Sequence, residues 1–141
     1  MEKLINLYPP MIGAGIRSKM MDERTVNVEM KLTRFNQNLV GVHFGGSLYA
    51  MYDPWFMLIL MRLLGRDYIV WDKAASIQFK KPGRGRVKAH FHIPPERVDE
   101  IRRDADAKGK IEPVFTVDVV DDDGRVIAQV EKLLYVRKRE A

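Results

Sequence analysis

Between Ser47 and Leu64 the chain places Leu48, Met51, Trp55, Met57, Leu58, Ile59, Leu60 and Met61 nearly all round a helix instead of along one stripe. A helix with so little polar face has to be enclosed by other elements, and this decides what the rest of the chain must do. Gly45-Gly46-Ser47 opens the helix, with Ser47 as the expected N-cap, and Gly65 closes it. Pro54 lies inside and should kink or split it, because its ring collides with the carbonyl of Ala50. The apolar run Trp55–Met61, ended by Arg62, is far shorter than the ~20 residues of a membrane span. It reads as a core helix.

The enclosing elements read as strands. Ile16, Ser18 and Met20 alternate, and after Asp22-Glu23-Arg24 the pattern resumes as Val26, Val28, Met30 and Leu32. Tyr68–Lys81 alternates with Ile69, Trp71, Ala75, Ile77 and Phe79 on one face, and Lys73 breaks the pattern. Val87, Ala89, Phe91 and Ile93 follow, then a polar helix from Pro94-Pro95 to about Lys108. Val114–Val120 and Val126–Val136 flank the turn Asp121-Asp122-Asp123-Gly124, a hairpin signal. Ahead of all this, Met1–Tyr8 suggests a short helix stopped by Pro9-Pro10, with Gly13 and Gly15 in a loop. With 46% hydrophobic and 30% charged residues the chain can bury a core, so residues 1–141 are expected to form one α+β domain, an antiparallel sheet wrapped around a long central helix.

Several function classes drop out. The absence of cysteine excludes disulfides, thiolate nucleophiles and Cys-ligated zinc, and fits a reducing, cytoplasmic setting. Met1–Tyr8 has no secretory character. Three histidines without clustered acids give no metal-ligand spacing, so no metal site is expected. The net charge of +5 concentrates on Lys80, Lys81, Arg84, Arg86, Lys88, His90 and His92, a run free of acids. A solvated strand face explains it; attraction of phosphates, with Arg84 first and Arg137–Arg139 second, is the functional alternative. Nucleic acid is disfavoured because exposed aromatics do not interleave with these charges.

One acid stands out. Asp53 sits in the most apolar stretch, and burying a carboxylate is costly unless it is paired; burial also moves such a group toward the range of a general base. The nearby glycine pair offers backbone N–H groups at a helix start, suited to an oxyanion. Together they suggest acyl transfer or hydrolysis, while a carboxylate bonded to backbone at a helix break is the structural alternative. Tyr49, Tyr52, Trp55, Phe56 and the methionines around them are core residues first, and some could line an acyl pocket.

Asn38-x-x-Gly41-x-x-x-Gly45-Gly46 followed by Asp53 resembles the N-x-x-G-x-x-H-G-G-x-x-x-x-x-x-D motif of hotdog-fold acyl-CoA thioesterases of the phenylacetate-degradation type. HFGGSLYAMYDP and VWDKAASIQFKKPGRG are similar to a branch known only as thioesterase-like proteins. The resemblance implies the hotdog fold, and hydrolysis of an acyl-CoA or acyl-carrier-protein thioester. It implies no cofactor beyond the coenzyme A of the substrate. It also implies a homodimer at least, with a homotetramer left open, whose sites are built between protomers. Carried over by position, Asp53 is general base or nucleophile and the Gly46 N–H polarises the carbonyl. Asn38 positions water or carbonyl, and Asp72 falls where relatives place a hydroxyl to orient water. His43, Phe44, Gly45, Trp55, Lys81 and Arg84 would surround the substrate. Phe44 replaces the motif histidine, and Asp72 replaces a hydroxyl. Those departures keep a non-catalytic acyl-CoA-binding module in view; a hydratase would need an acid–histidine pair, for which only His43 is near.

Overall fold

The computed structural model describes residues 2–140. The chain runs α1 (Glu2–Asn6), α2 (Pro9–Ala14), β1 (Ile16–Asp22), β2 (Thr25–Met30), α3 (Gly45–Ala50), α4 (Trp55–Leu64), β3 (Tyr68–Phe79), β4 (Val87–His92), α5 (Pro95–Lys108), β5 (Lys110–Ile111), β6 (Val114–Asp121) and β7 (Val126–Lys138). The strands form one antiparallel sheet in the order β1-β2-β4-β6-β7-β3, with β5 paired onto β7. Its inner face packs on α3 and α4. This is the hotdog arrangement.

The central helix is broken. Met51–Pro54 forms a turn between α3 and α4, as the proline requires, and both Met51 and Tyr52 stay fully buried there. Ser47 is not the N-cap. Phe44 holds that position without a side-chain cap, so Ser47 lies inside the first turn. Enclosure is also one-sided: Trp55, Phe56, Ile59, Leu60 and Leu64 are buried, whereas Met61 is 40% exposed. Gly65 ends α4 at φ 83°, a conformation that disfavours side chains.

Three aromatic contacts tie the turn and α4 to the sheet. Phe91 of β4 meets Tyr52 and Phe56 edge-on at centroid distances of 5.6 and 5.1 Å, and Phe56 stacks on Phe115 at 4.9 Å. The inward residues of β2 (Val26, Val28, Met30) and β4 (Val87, Ala89, Phe91) are those the alternation assigns.

Strand β3 departs from expectation. Its register against β7 shifts between Asp72 and Ala74, leaving Lys73 as a bulge. One extra residue inverts the parity of everything beyond it. Ile69 and Trp71 therefore do not share a face with Ala75, Ile77 and Phe79. The inward set is Tyr68, Val70 and Asp72 before the bulge, then Ala75 opposite Lys132 and Ile77 opposite Val130. Trp71 stacks outside on Tyr135 at 4.7 Å. The N-terminus also differs: Pro9-Pro10 begins α2, where a missing N–H costs nothing, and Gly13 lies within that helix before the left-handed Gly15 at φ 73°. β5, two residues long, has no alternation to announce it.

Candidate active site

The turn between α3 and α4 decides where Asp53 goes. With Tyr52 held inside by its hydroxyl donating to the Val117 carbonyl (3.3 Å), the next residue is turned outward. The Asp53 side chain is 59% exposed. The expectation of a buried acid is thus corrected: the helix break carries it to the surface of an otherwise apolar segment.

What holds Asp53 is a residue sequence reasoning missed. Lys132 lies on the inward face of β7, between Val130 and Leu134, and is 1% exposed. Its Nζ donates to the Asp53 carbonyl (2.9 Å), to Asp53 Oδ1 (3.3 Å) and to the Tyr49 hydroxyl (3.2 Å), and stands 3.3 Å from Asp72 Oδ2. It also lies 5.4 Å from the centre of the Tyr49 ring. The signal was present in principle: Ala128, Val130, Lys132, Leu134 and Val136 share one phase of the strand, and a lysine in an apolar phase asks for a partner.

The bulge at Lys73 completes the cluster by keeping Asp72 inward, opposite Leu134. Burial raises the Asp72 carboxyl above the usual carboxylate range, and the negative charge of Asp53 adds to this while Lys132 opposes it. Asp72 Oδ1 is buried and has no hydrogen-bond partner among the described residues. For Lys132, burial works against the charged amine. The Tyr49 hydrogen bond and the charges of Asp72 and Asp53 outweigh it and hold the amine above the ordinary lysine value. Lys73, next to Asp72 in sequence, pairs instead with Glu112.

The glycine pair forms the first turn of α3, where backbone amides lack intrahelical acceptors. A Cβ on Gly46 would come within 2.8 Å of the Phe44 ring, and one on Gly45 within 3.1 Å of the Phe79 ring. Absent side chains let these two exposed aromatics lie over the helix start. Asn38 works within its own loop: its Oδ1 accepts from the amides of Val40 (3.0 Å) and Val42 (3.2 Å). Trp55 is fully buried in the core.

His43 joins this loop to the one after β3. Its amide donates to Gly83 O (3.0 Å), and its Nε2 lies 2.6 Å from Gly85 O. Because a carbonyl only accepts, Nε2 carries the proton and Nδ1 is left buried without a partner among the described residues. Burial lowers the His43 pKa from 6.5, against the smaller upward pull of the Gly85 carbonyl. The stability linked to this depressed value is present above 6.5 and lost as pH falls through the folded-state value. Urea titrations at several pH values should therefore show the advantage of wild type over His43→Gln shrinking on acidification below 6.5; an advantage independent of pH would refute the linkage.

Lys81 and Arg84 are exposed in the same loop. The basic run beyond it is not free of acids in three dimensions. Arg86 pairs with Asp122 (3.1 Å) and Glu29 (3.4 Å), His90 meets Asn27 (2.6 Å), and His92 meets Thr25 (2.8 Å). Neighbouring strands supply what the linear run lacks. A 910 Å³ surface concavity, lined in part by Arg17, Lys19, Glu29, Arg86, Lys88 and His90, shares no lining residue with the Asp53 cluster.

Among the described residues no group of three His, Cys, Asp or Glu is placed to hold a metal, and no helix is long and apolar enough to cross a membrane. The profile of a family described as a domain of unknown function, DUF4442, matches residues 2–136. No curated protein matches. Among solved structures, the fold is similar to that of a Pseudomonas aeruginosa protein of unknown function described as a probable thioesterase (TM-score 0.84, 21% identity, 98% of this chain and 93% of that one). It is also similar to a Haemophilus influenzae thioesterase (0.69, 14%, 96% and 87%). A third is the E. coli PaaI protein from the phenylacetic acid degradation operon (0.65, 17%, 99% and 90%). At these identities the likeness establishes a shared hotdog fold.

Proposed function

Since the chain belongs to the DUF4442 family and folds as a hotdog domain, we propose that it is a thioester hydrolase acting on an acyl-CoA or acyl-carrier-protein substrate. The observation that carries this reading is the Asp53 carboxylate, solvent-accessible yet tied to a buried lysine, at the turn that follows the glycine-opened helix. A carboxylate so held can take a proton from water. The resulting hydroxide attacks the thioester carbonyl, and the Gly46 N–H would hold the oxygen that becomes negative. Collapse expels the thiolate, which recovers the proton from Asp53 and leaves as thiol. Direct attack by Asp53, giving an anhydride that water then opens, uses the same placement. Asp72, which the motif assigns to the orientation of that water, shares the Lys132 ammonium with Asp53.

The substrate's phosphates would meet Lys81 and Arg84, exposed in the loop that His43 ties to the segment before the glycine pair. Strand β3 ends the sheet and is 12 residues long, so its free edge can pair with the same edge of a second copy. Such a homodimer would cover Phe44 and Phe79, which are 56% and 59% exposed, and close the open side of Asp53; pairs of dimers would give tetramers. No cofactor is needed beyond the substrate's coenzyme A, and the reading places the protein in the cytoplasm.

The test is a panel of acyl-CoAs assayed for released thiol, with the oligomer sized by sedimentation. Turnover of at least one thioester is expected. One observation favours a second reading, a non-catalytic acyl-CoA-binding module: Asn38, which the motif assigns to water or carbonyl, spends its side-chain oxygen on its own loop. Tight calorimetric binding with no thiol released would select the module over the hydrolase.

A further inference from the structure

Among the described residues Lys132 is the one fully buried cation, and the hydrolysis described above gives it no step. Burying an ammonium costs several kcal/mol unless partners replace its water. Here the replacement is complete. An ammonium has three N–H donors, and four acceptors surround this one: the Asp53 carbonyl, Asp53 Oδ1, Tyr49 Oη and Asp72 Oδ2. No donor is left for a substrate, so Lys132 does not act as an electrophile.

Its partners come from three separate elements. Tyr49 belongs to α3, Asp53 to the turn before α4, and Asp72 to β3 beside the bulge. A packing role would be served as well or better by an apolar chain of the same length, since hydrophobic replacements of buried ion pairs are often neutral or stabilising. What an apolar chain cannot do is hold two carboxylates at one point with one oxygen of each left over.

We propose that Lys132 is the positioning residue of the site: it gathers the Asp53 main chain, the Asp53 carboxylate and the Asp72 carboxylate onto one ammonium, so that the exposed Asp53 carboxylate is turned to the reacting water and Asp72 sets the charge beside it. The proposal deepens the hydrolase reading and rests on it for the reaction, but the arrangement of charges stands apart from any turnover. Two like charges converge on this point, and Lys132 and Tyr49 are the groups facing them from the sheet and the helix. Removing the cation leaves the half-buried Asp72 beside Asp53 with no counter-charge, and Asp72 takes up a proton at a higher pH.

The test uses the full chain with Lys132→Met, and Lys132→Gln as a second variant that keeps a donor for the Asp53 carbonyl without the charge. Two readouts are taken. Carbon-13 titration of the Asp72 side-chain carboxyl should move to higher pH in either variant, because the ammonium 3.3 Å away is lost; the kcat-against-KM split and the pH profile separate a positioning role from a purely structural ion pair. In hydrolysis, kcat should fall by about a hundredfold with KM little changed, as for a reacting group displaced by ~1 Å, and the acid limb of the pH profile should move with the Asp72 titration. An unmoved Asp72 titration, or kcat within about threefold of wild type in a folded variant, overturns the proposal. If wild type releases no thiol from any acyl-CoA, the hydrolase reading fails, and the carboxyl titration still decides whether Lys132 sets the charges of the site.

Discussion

Asp53→Asn is expected to abolish the proposed acyl-CoA hydrolysis while leaving the fold and the sedimentation behaviour of the wild type unchanged. The substitution changes almost nothing but the chemistry. The amide keeps the size of the carboxylate and an oxygen that can still accept from Lys132 Nζ, and the Asp53 carbonyl contact at 2.9 Å belongs to the backbone. With the side chain 59% exposed, no core packing is disturbed. What disappears is the proton acceptor or nucleophile, and loss of a general base alone costs about 10²–10⁴ in rate. Thiol release measured on matched wild-type and variant samples decides it, with circular dichroism and sedimentation as controls. Undiminished turnover by the variant would remove Asp53 from the mechanism.

Phe91→Ala is expected to have the largest effect on stability, about 3–5 kcal/mol for truncating a buried phenylalanine. Phe91 is fully buried and contacts the helix break on two sides, Tyr52 in the turn and Phe56 in α4. Each edge-on pair adds about 0.5–1.5 kcal/mol beyond the apolar area removed from water. Because a domain of this kind has about 5–15 kcal/mol of net stability, the variant should sit near the edge of folding. Its urea midpoint should drop sharply, whereas Phe91→Leu, which fills most of the volume, should recover much of the loss. A truncation costing under about 1 kcal/mol would mean that β4 is not what closes the sheet over the helix.

The two variants probe opposite sides of one turn. Tyr52 faces in and anchors it, Asp53 faces out and carries the proposed chemistry, and Lys132 connects the outward acid to the sheet. Loosening the inner side should therefore erode activity before global unfolding, because the position of Asp53 depends on a turn only a few residues long.

Much of this was readable in the sequence wherever the cause was local. Pro54 splits the helix, Gly65 ends it at positive φ, and Asp121–Gly124 turns a hairpin in which the Asp121 carboxylate caps two amides of its own loop. The alternation in β2 and β4 assigned the inner faces correctly, because the period of a strand needs no partner to be read. The motif from Asn38 through Gly46 to Asp53 drew attention to the turn between α3 and α4, though not to the direction in which the acid points.

The rest depended on distance along the chain. Lys132 and Asp53 are separated by 79 residues, and nothing near either announces the other. Lys73 visibly breaks the alternation of β3, but only pairing against β7 shows that it is a bulge and that Asp72 therefore turns inward. The acid-free look of Arg84–His92 dissolved for the same reason, since Glu29 and Asp122 arrive from other strands. Sequence alone determined the main strands, the polar helix and the split central helix with its Gly65 end, because propensity, capping and periodicity act within a few residues, whereas α2, β5 and the helix start at Phe44 were not read from it. Only the tertiary structure decided that an exposed acid, a half-buried acid and a buried lysine share one point, because that meeting is set by strand register, and register is a property of pairs.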